Sequence, residues 1–290
     1  MNRRNFIKGM AAAGVVASAG VACARQSERR ILLGICSGSD KAEKLKAIGY
    51  DFIEGGSAVT LKPETSDAEF APELEKIKSC VLPTRSCNGF IPGKFRLTGP
   101  EIAHDAALDY AVKACQRADA AGIPYIVLGS GGARKLPPGF DSARGKAQFI
   151  EFCQRLGDRI KDCKVTIVLE PLNKGETNLL NSVTEGIEYV DAINHPRIQL
   201  LADFYHMMKE KEGPDAIRKA CERIRHCHIA EMEGRKAPGT KGEDLSGFFK
   251  ALKDIRYTGG VSCECSWPKE NVEEVWKKAL AAMREQTGMS

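Results

Sequence analysis

Four short apolar runs in the second half of the sequence each end on a residue able to bind a divalent cation. Glu170 closes Val165-Thr-Ile-Val-Leu-Glu170, Asp203 closes Ile198-Gln-Leu-Leu-Ala-Asp203, His228 closes Ile224-Arg-His-Cys-His228 and Glu264 closes Gly260-Val-Ser-Cys-Glu264. Taken singly, each reads as well as a turn cap, an N-cap, a core histidine or an ion-pair partner. On four parallel strands of one sheet they would converge at one end, and without a cation such a group would repel and desolvate itself. The set is hard and mainly oxygen, which suits one divalent ion: Mn²⁺ first, then Mg²⁺ or Co²⁺, with Zn²⁺ still compatible. Positions left open on the ion suit two adjacent oxygens of an α-hydroxyketone or polyol. Polarising the carbonyl would stabilise the enediolate formed when the neighbouring C–H proton leaves.

The elements that must place these residues repeat along the chain. Apolar or β-branched runs lie near Ile31 to Cys36, Tyr50 to Glu54, Ser79 to Arg85, Tyr125 to Gly129, Val165 to Glu170, Ile198 to Asp203, Ile224 to His228 and Gly260 to Glu264. Amphipathic segments alternate with them, among them Asp105 to Ala121, Ala143 to Asp162, Asn181 to Asn194, Pro214 to Arg223, Leu245 to Lys253 and Asn271 to Gln286. Strand and helix in eight-fold alternation predict a single-domain α/β fold, the (β/α)8 TIM barrel, whose active face collects the C-terminal ends of the strands. No Gly-rich dinucleotide fingerprint follows the first run, which sets the open doubly wound sheet second. The Gly- and Pro-rich stretches Gly89 to Gly99 and Gly129 to Ser142 directly follow strands and read as lid or substrate-contact loops.

Residues 1–23 read as a twin-arginine-type export signal, with Arg3 and Arg4 ahead of an apolar stretch ending at Ala22-Cys23. The expected location is therefore periplasmic, or lipid-anchored if Cys23 serves as a lipobox cysteine, the one membrane attachment expected. Residues 24–290 form the barrel, close to the ~250 residues typical of one such domain. The formal charge of +5 includes leader cations, so the mature chain is nearer neutral and no nucleic-acid partner is expected. Eleven cysteines would suit an exported disulfide framework, yet several sit inside strand runs. Mostly free, buried thiols are expected, with a surface pair left open, and no CxxC pair supports a thiolate zinc site.

Secondary candidates carry less. Glu54 ends the second strand run and either touches substrate or is a solvated loop residue; Trp267 either walls a sugar ring or fills the barrel rim. His226 shares parity with His228 and points into the barrel one layer deeper. Gly129 to Gly132 with Arg134 form either an anion-binding turn or a tight bend.

Glu170-Pro-Leu-Asn-Lys-Gly-Glu176, Asp203-Phe-Tyr-His206, His226-Cys-His228-Ile-Ala-Glu231 and Glu264 together resemble the xylose isomerase-like sugar isomerase/epimerase superfamily. The branch most alike is that of the ketose 3-epimerases, tagatose and psicose 3-epimerases. The resemblance implies a metal held by Glu170, Asp203, His228 and Glu264. It also makes Glu170 and Glu264 the acid/base pair on opposite faces of the sugar, one removing the C3 proton and the other returning a proton. It places Glu176 and His206 on the substrate, and Arg235 too, although the spacing from His228 is one residue longer than in the epimerases. The function expected is a metal-dependent sugar isomerase or epimerase acting on a ketose or keto-sugar, with a small-molecule sugar as partner and a homo-oligomer left open. Dehydration, elimination or hydration on inosose or 3-keto sugars uses the same site and stays open. A non-catalytic sugar-binding protein is disfavoured by the full ligand set. An AP endonuclease-like enzyme would need more than the five histidines present.

Overall fold

The computed structural model describes residues 30–288, so the leader expectation and Cys23 lie outside the described residues. Eight parallel strands close into a barrel: β1 (Leu32–Cys36), β2 (Phe52–Gly56), β3 (Thr84–Asn88), β4 (Tyr125–Leu128), β5 (Thr166–Leu169), β6 (Ile198–Asp203), β7 (Ile224–Ile229) and β8 (Gly260–Cys263). A helix follows each strand, in order Ala42–Ile48, Asp67–Lys78, His104–Ala121, Ser142–Arg159, Val183–Ile193, Asp215–Ala220, Ser246–Asp254 and Val272–Thr287. The expected (β/α)8 barrel is what forms. Helix starts are set by local chemistry: Ser66 makes a capping box with Glu69, and Asp141 and Ser182 accept from backbone N–H groups three residues on. Among the described residues no helix is long and apolar enough to cross a membrane, and the ten described cysteines are all free.

Strand alternation divides the side chains. One set, including Leu33, Ile35, Ile53, Cys87, Ile126, Ile167, Leu200, Cys227 and Val261, packs outward against the helices in the main core. The other set fills the barrel, and it is unevenly composed. Val127, Val168 and Leu201 form a separate aliphatic cluster on β4 to β6, whereas Glu54, Ser86, His226 and Ser262 line the opposite half and are all buried. Below them Phe52 closes the floor. A Cβ at Gly34 or Gly260 would sit 2.2 or 2.6 Å from its ring, so the phenyl fits because those neighbours are glycine.

Two strands begin or end elsewhere than expected. β2 continues through Gly55-Gly56, which puts Glu54 inside the barrel instead of at its rim. β3 starts at Thr84, since Ser79 caps the preceding helix and Val81 and Leu82 lie in the connection. Pairing steps past Arg85 on β3 and Arg225 on β7, and after each step Ser86 lies beside Glu54 and His226 beside Leu201. Such irregularities re-aim side chains next to sites.

Candidate functional site

The barrel's C-terminal rim brings together the four strand-end residues. One ligand-type atom from each of Glu170, Asp203, His228 and Glu264 lies within 4.8 Å of the others. Nδ1 of His228 is the centre of the group, 2.8 Å from Glu170 Oε1, 3.3 Å from Glu264 Oε2 and 4.0 Å from Asp203 Oδ2.

Each ligand is held differently. Asp203 ends β6 and caps the short helix Phe204–Lys209: its Oδ1 accepts the N–H of Tyr205 at 2.7 Å and of His206 at 3.3 Å. Its Oδ2 is buried with no hydrogen-bond partner. Glu264 follows β8, its Oε1 accepting from Asn88 Nδ2 at 2.9 Å and its Oε2 from Arg235. Glu170 follows β5 and closely approaches Gly129, where a Cβ would stand 2.1 Å from Oε2; that glycine makes room for the carboxylate. His228 turns Nε2 away from the rim, donating to Glu54 Oε1 at 2.8 Å.

The electrostatics follow the packing. Burial alone would lower the His228 pKa, but Glu54, Glu264 and Glu170 together raise it well above the ordinary imidazole value. Burial opposes ionisation of Glu264, yet His228 and Arg235 pull it down to about 2. Burial raises Glu170, and the Glu264 and Asp203 charges add to that against His228. Two glutamates of one site thus have unlike proton affinities.

The donor chemistry fits a divalent cation. An orphaned buried carboxylate oxygen, two further carboxylates and an imidazole nitrogen facing one point form a hard, oxygen-rich cradle.

The expected substrate residues divide into three groups. His206, Glu176 and Arg235 all reach the rim. His206 Nδ1 accepts the backbone N–H of Asn173 at 3.1 Å, so the neutral ring carries its one N–H proton on Nε2, which is buried, makes no hydrogen bond and lies 3.5 Å from Asp203 Oδ2. Arg235 spans Glu264, Asp203 at 3.6 Å and Glu176 at 3.6 Å, with its guanidinium 4.9 Å over the Tyr205 ring. Trp267, beyond β8, is partly buried against the core. Glu54 is a correction: it is 1% exposed, one layer below the rim, with both oxygens engaged by His228, His226 and Ser86. The two residues β2 adds after Glu54 are the reason.

For Arg134 the two alternatives are decided against the anion-binding turn. Its fully buried guanidinium points inward, donating to the carbonyls of Glu170 at 2.7 Å and Leu128 at 3.3 Å, so it pins backbone under the site instead of cradling an anion. Burial lowers its pKa to about 10. The two Gly-rich loops are tied together, Leu97 N–H to Ala133 O at 2.9 Å and Thr98 Oγ1 to Arg134 O at 2.7 Å. Asn88, at the end of the third strand, and Asn173, within the Glu170 motif, have no role in the sequence reading, and Ser86 is not among its candidates. For Asn88 and Ser86 the signal was parity on β3, hidden by its misplaced start.

Comparison with known proteins follows the same lines. The protein-family model described as xylose isomerase-like TIM barrel matches residues 42–286. The L-ribulose 3-epimerase of Methylomonas sp. (strain DH-1) is 34% identical over 164 residues, 56% of this chain and 54% of that protein. The chain spans about half the length of the first curated relatives it matches. Among solved structures, a D-psicose 3-epimerase crystallised in the presence of D-fructose superposes with a TM-score of 0.78 at 23% identity, over 89% of this chain and 100% of that one, which speaks to the fold. The D-allulose 3-epimerase from Methylomonas sp. in complex with D-allulose gives a TM-score of 0.69 at 27% identity, over 89% and 97%.

Proposed function

The chain belongs to the xylose isomerase-like TIM barrel family, and on that premise we propose that it is a metal-dependent epimerase or isomerase of a ketose or keto-sugar. The observation that carries this reading is the rim cluster, with ligand atoms of three carboxylates and one imidazole inside 4.8 Å and, among them, a buried Asp203 oxygen that makes no hydrogen bond. The similarity to L-ribulose and D-allulose 3-epimerases supports the substrate class.

Glu170, Asp203, His228 and Glu264 would hold the ion, Mn²⁺ first. When bound, it supplies Lewis-acid polarisation of a carbonyl and charge stabilisation for the enediolate. The protein's own groups do the rest. Glu170 and Glu264 stand at the ends of strands three apart in the barrel, so they address a sugar from different sides; one removes the C3 proton and the other returns one, inverting that centre. Arg235 and Asn88 keep Glu264 oriented and ionised, while buried Glu170 holds a proton more readily. The Nε2–H of His206 and the Arg235 guanidinium offer donors to sugar oxygens, and Glu176 offers an acceptor. Residues 1–23 are read as directing export, which favours free sugars over phosphorylated ones. Replacing Arg3 and Arg4 by Lys in a reporter fusion should abolish export.

A panel of free ketoses and 3-keto glycosides followed by NMR in D₂O tests the reading. Deuterium should enter at the epimerised carbon, chelation should stop it, and Mn²⁺ or Co²⁺ should restore it. Glu170→Gln and Glu264→Gln should each abolish exchange. An unsaturated product would replace epimerisation by elimination, and full activity after metal removal would overturn the mechanism.

A further inference from the structure

A second set of ligand-type atoms lies directly beneath the rim: Cys36, Glu54 and His228 also come within 4.8 Å of one another. As a chelate it would compete with the rim for His228. The hydrogen-bond pattern gives it another role. Three donors converge on the Glu54 carboxylate, Ser86 Oγ and His226 Nε2 each 2.6 Å from Oε2 and His228 Nε2 2.8 Å from Oε1. A carboxylate only accepts, so Nε2 of His228 carries a proton that Glu54 retains, while Nδ1, which faces Glu170 at 2.8 Å on the rim, is the nitrogen an incoming cation can take in exchange for a proton. His226 is itself fixed, stacked on Tyr125 at 6.0 Å between ring centroids and edge-on to Phe52 at 6.1 Å.

We propose that Glu54 is a positioning residue: by accepting the Nε2–H of His228 it selects Nδ1 as the metal-binding nitrogen, with Ser86 and His226 holding the carboxylate in place. This rests on the metal site of the proposed function. A carboxylate behind a ligating imidazole fixes the ring and strengthens it as a ligand. The column explains why a strand interior carries Glu54, Ser86 and His226, none of which reaches the rim.

The test uses the whole protein and two readouts other than turnover. In ¹⁵N-histidine NMR of the Mg²⁺- or Zn²⁺-loaded wild type, one of the five histidines, His228, should be protonated on Nε2 with Nδ1 shifted by the ion. Protonation on Nδ1 would overturn the proposal without any variant. In calorimetry with Mn²⁺, Glu54→Ala should weaken binding about tenfold to a hundredfold. Glu54→Gln should fall between it and wild type, because the amide can still accept from His228 but places an N–H₂ against Ser86 and His226. Folded variants that bind Mn²⁺ as tightly as wild type would refute the inference alone. A wild type that binds no divalent ion would remove the metal reading and this inference together.

Discussion

The two halves of the barrel interior solve the same problem by different means. Under Glu170 and Asp203 the layer below the rim is aliphatic, Val127, Val168 and Leu201. These two carboxylates are held from above and beside: Asp203 by the backbone N–H groups of Tyr205 and His206, Glu170 by the space Gly129 leaves. Under His228 the layer is polar, and Glu54 holds the imidazole from below. A carboxylate offers several acceptor sites and can be oriented by loop backbone. An imidazole that must present one nitrogen to an ion needs an acceptor behind the other, and inside a barrel only an inward side chain of the next layer can supply it.

Breaking the contrast from the aliphatic side should have the largest effect. In Val168→Asp the new carboxylate would meet Val127 and Leu201 and no partner, costing about 3–5 kcal/mol for an uncompensated buried charge. Urea unfolding would measure it, and a loss near zero would mean this wall already contains a polar group or water to receive the charge. Next is Asp203→Asn. The amide oxygen can keep the helix cap, while Oδ2, which makes no hydrogen bond, is replaced by a donor facing the Arg235 and His206 N–H groups 3.5–3.6 Å away. Mn²⁺ affinity should fall by more than about a hundredfold, above the usual effect of a residue behind the ligands. Unaltered affinity would exclude Asp203 from the site.

The polar half predicts a pH effect of definite sign. Against the lowering effect of burial, Glu54, Glu264 and Glu170 raise the pKa of His228, which favours a second ring proton, on Nδ1, in the metal-free protein. A cation must displace it, so binding should release about one proton, and apparent affinity should climb with pH by up to about tenfold per unit until that pKa is passed. In the metal-free protein the same group contributes stability that is complete below the unfolded histidine value and lost as pH rises through the folded one. Calorimetry in buffers of different ionisation enthalpy counts the proton; none released would mean that His228 is already neutral.

How much of this was legible in the sequence follows the same division. Strand ends Glu170 and Asp203 stand out because apolar runs lead up to them, as buried parallel strands should, whereas His228 and Glu264 close mixed runs whose outward residues, Ile224, Cys227, Val261 and Cys263, are apolar and whose inward His226 and Ser262 are polar. β3 was misplaced for the converse reason: Thr84-Arg-Ser-Cys-Asn88 faces the polar half, so its inward residues are polar and the neighbouring Val81-Leu82 look more strand-like. Gly55-Gly56 resembles a turn, which predicts Glu54 at the rim or in a solvated loop, whereas the pair continues β2. Arg235 was assigned through resemblance, with its spacing in question, and its place beside Glu264 depends on a loop whose backbone turns at Gly234 and Arg235 with positive φ. Periodicity reports burial against apolar neighbours and is silent on polar side chains buried against each other.

The smallest expected effect sharpens the comparison most. Ser262 belongs to the polar half, fully buried, yet its hydroxyl reaches only His226 Nε2, at 3.5 Å. That distance is at the limit of a hydrogen bond, and the same Nε2 already donates to Glu54 at 2.6 Å. Ser262→Ala removes one small hydroxyl and orphans no donor, so it should cost under about 1 kcal/mol and leave Mn²⁺ affinity unchanged. A larger loss, measured by unfolding and by calorimetry together, would make the polar half a cooperative network in which Ser262 participates. The expected near-silence would instead concentrate that half's function in Glu54 and its three donors, with Ser262 filling the space between His226 and His228 on the neighbouring strand.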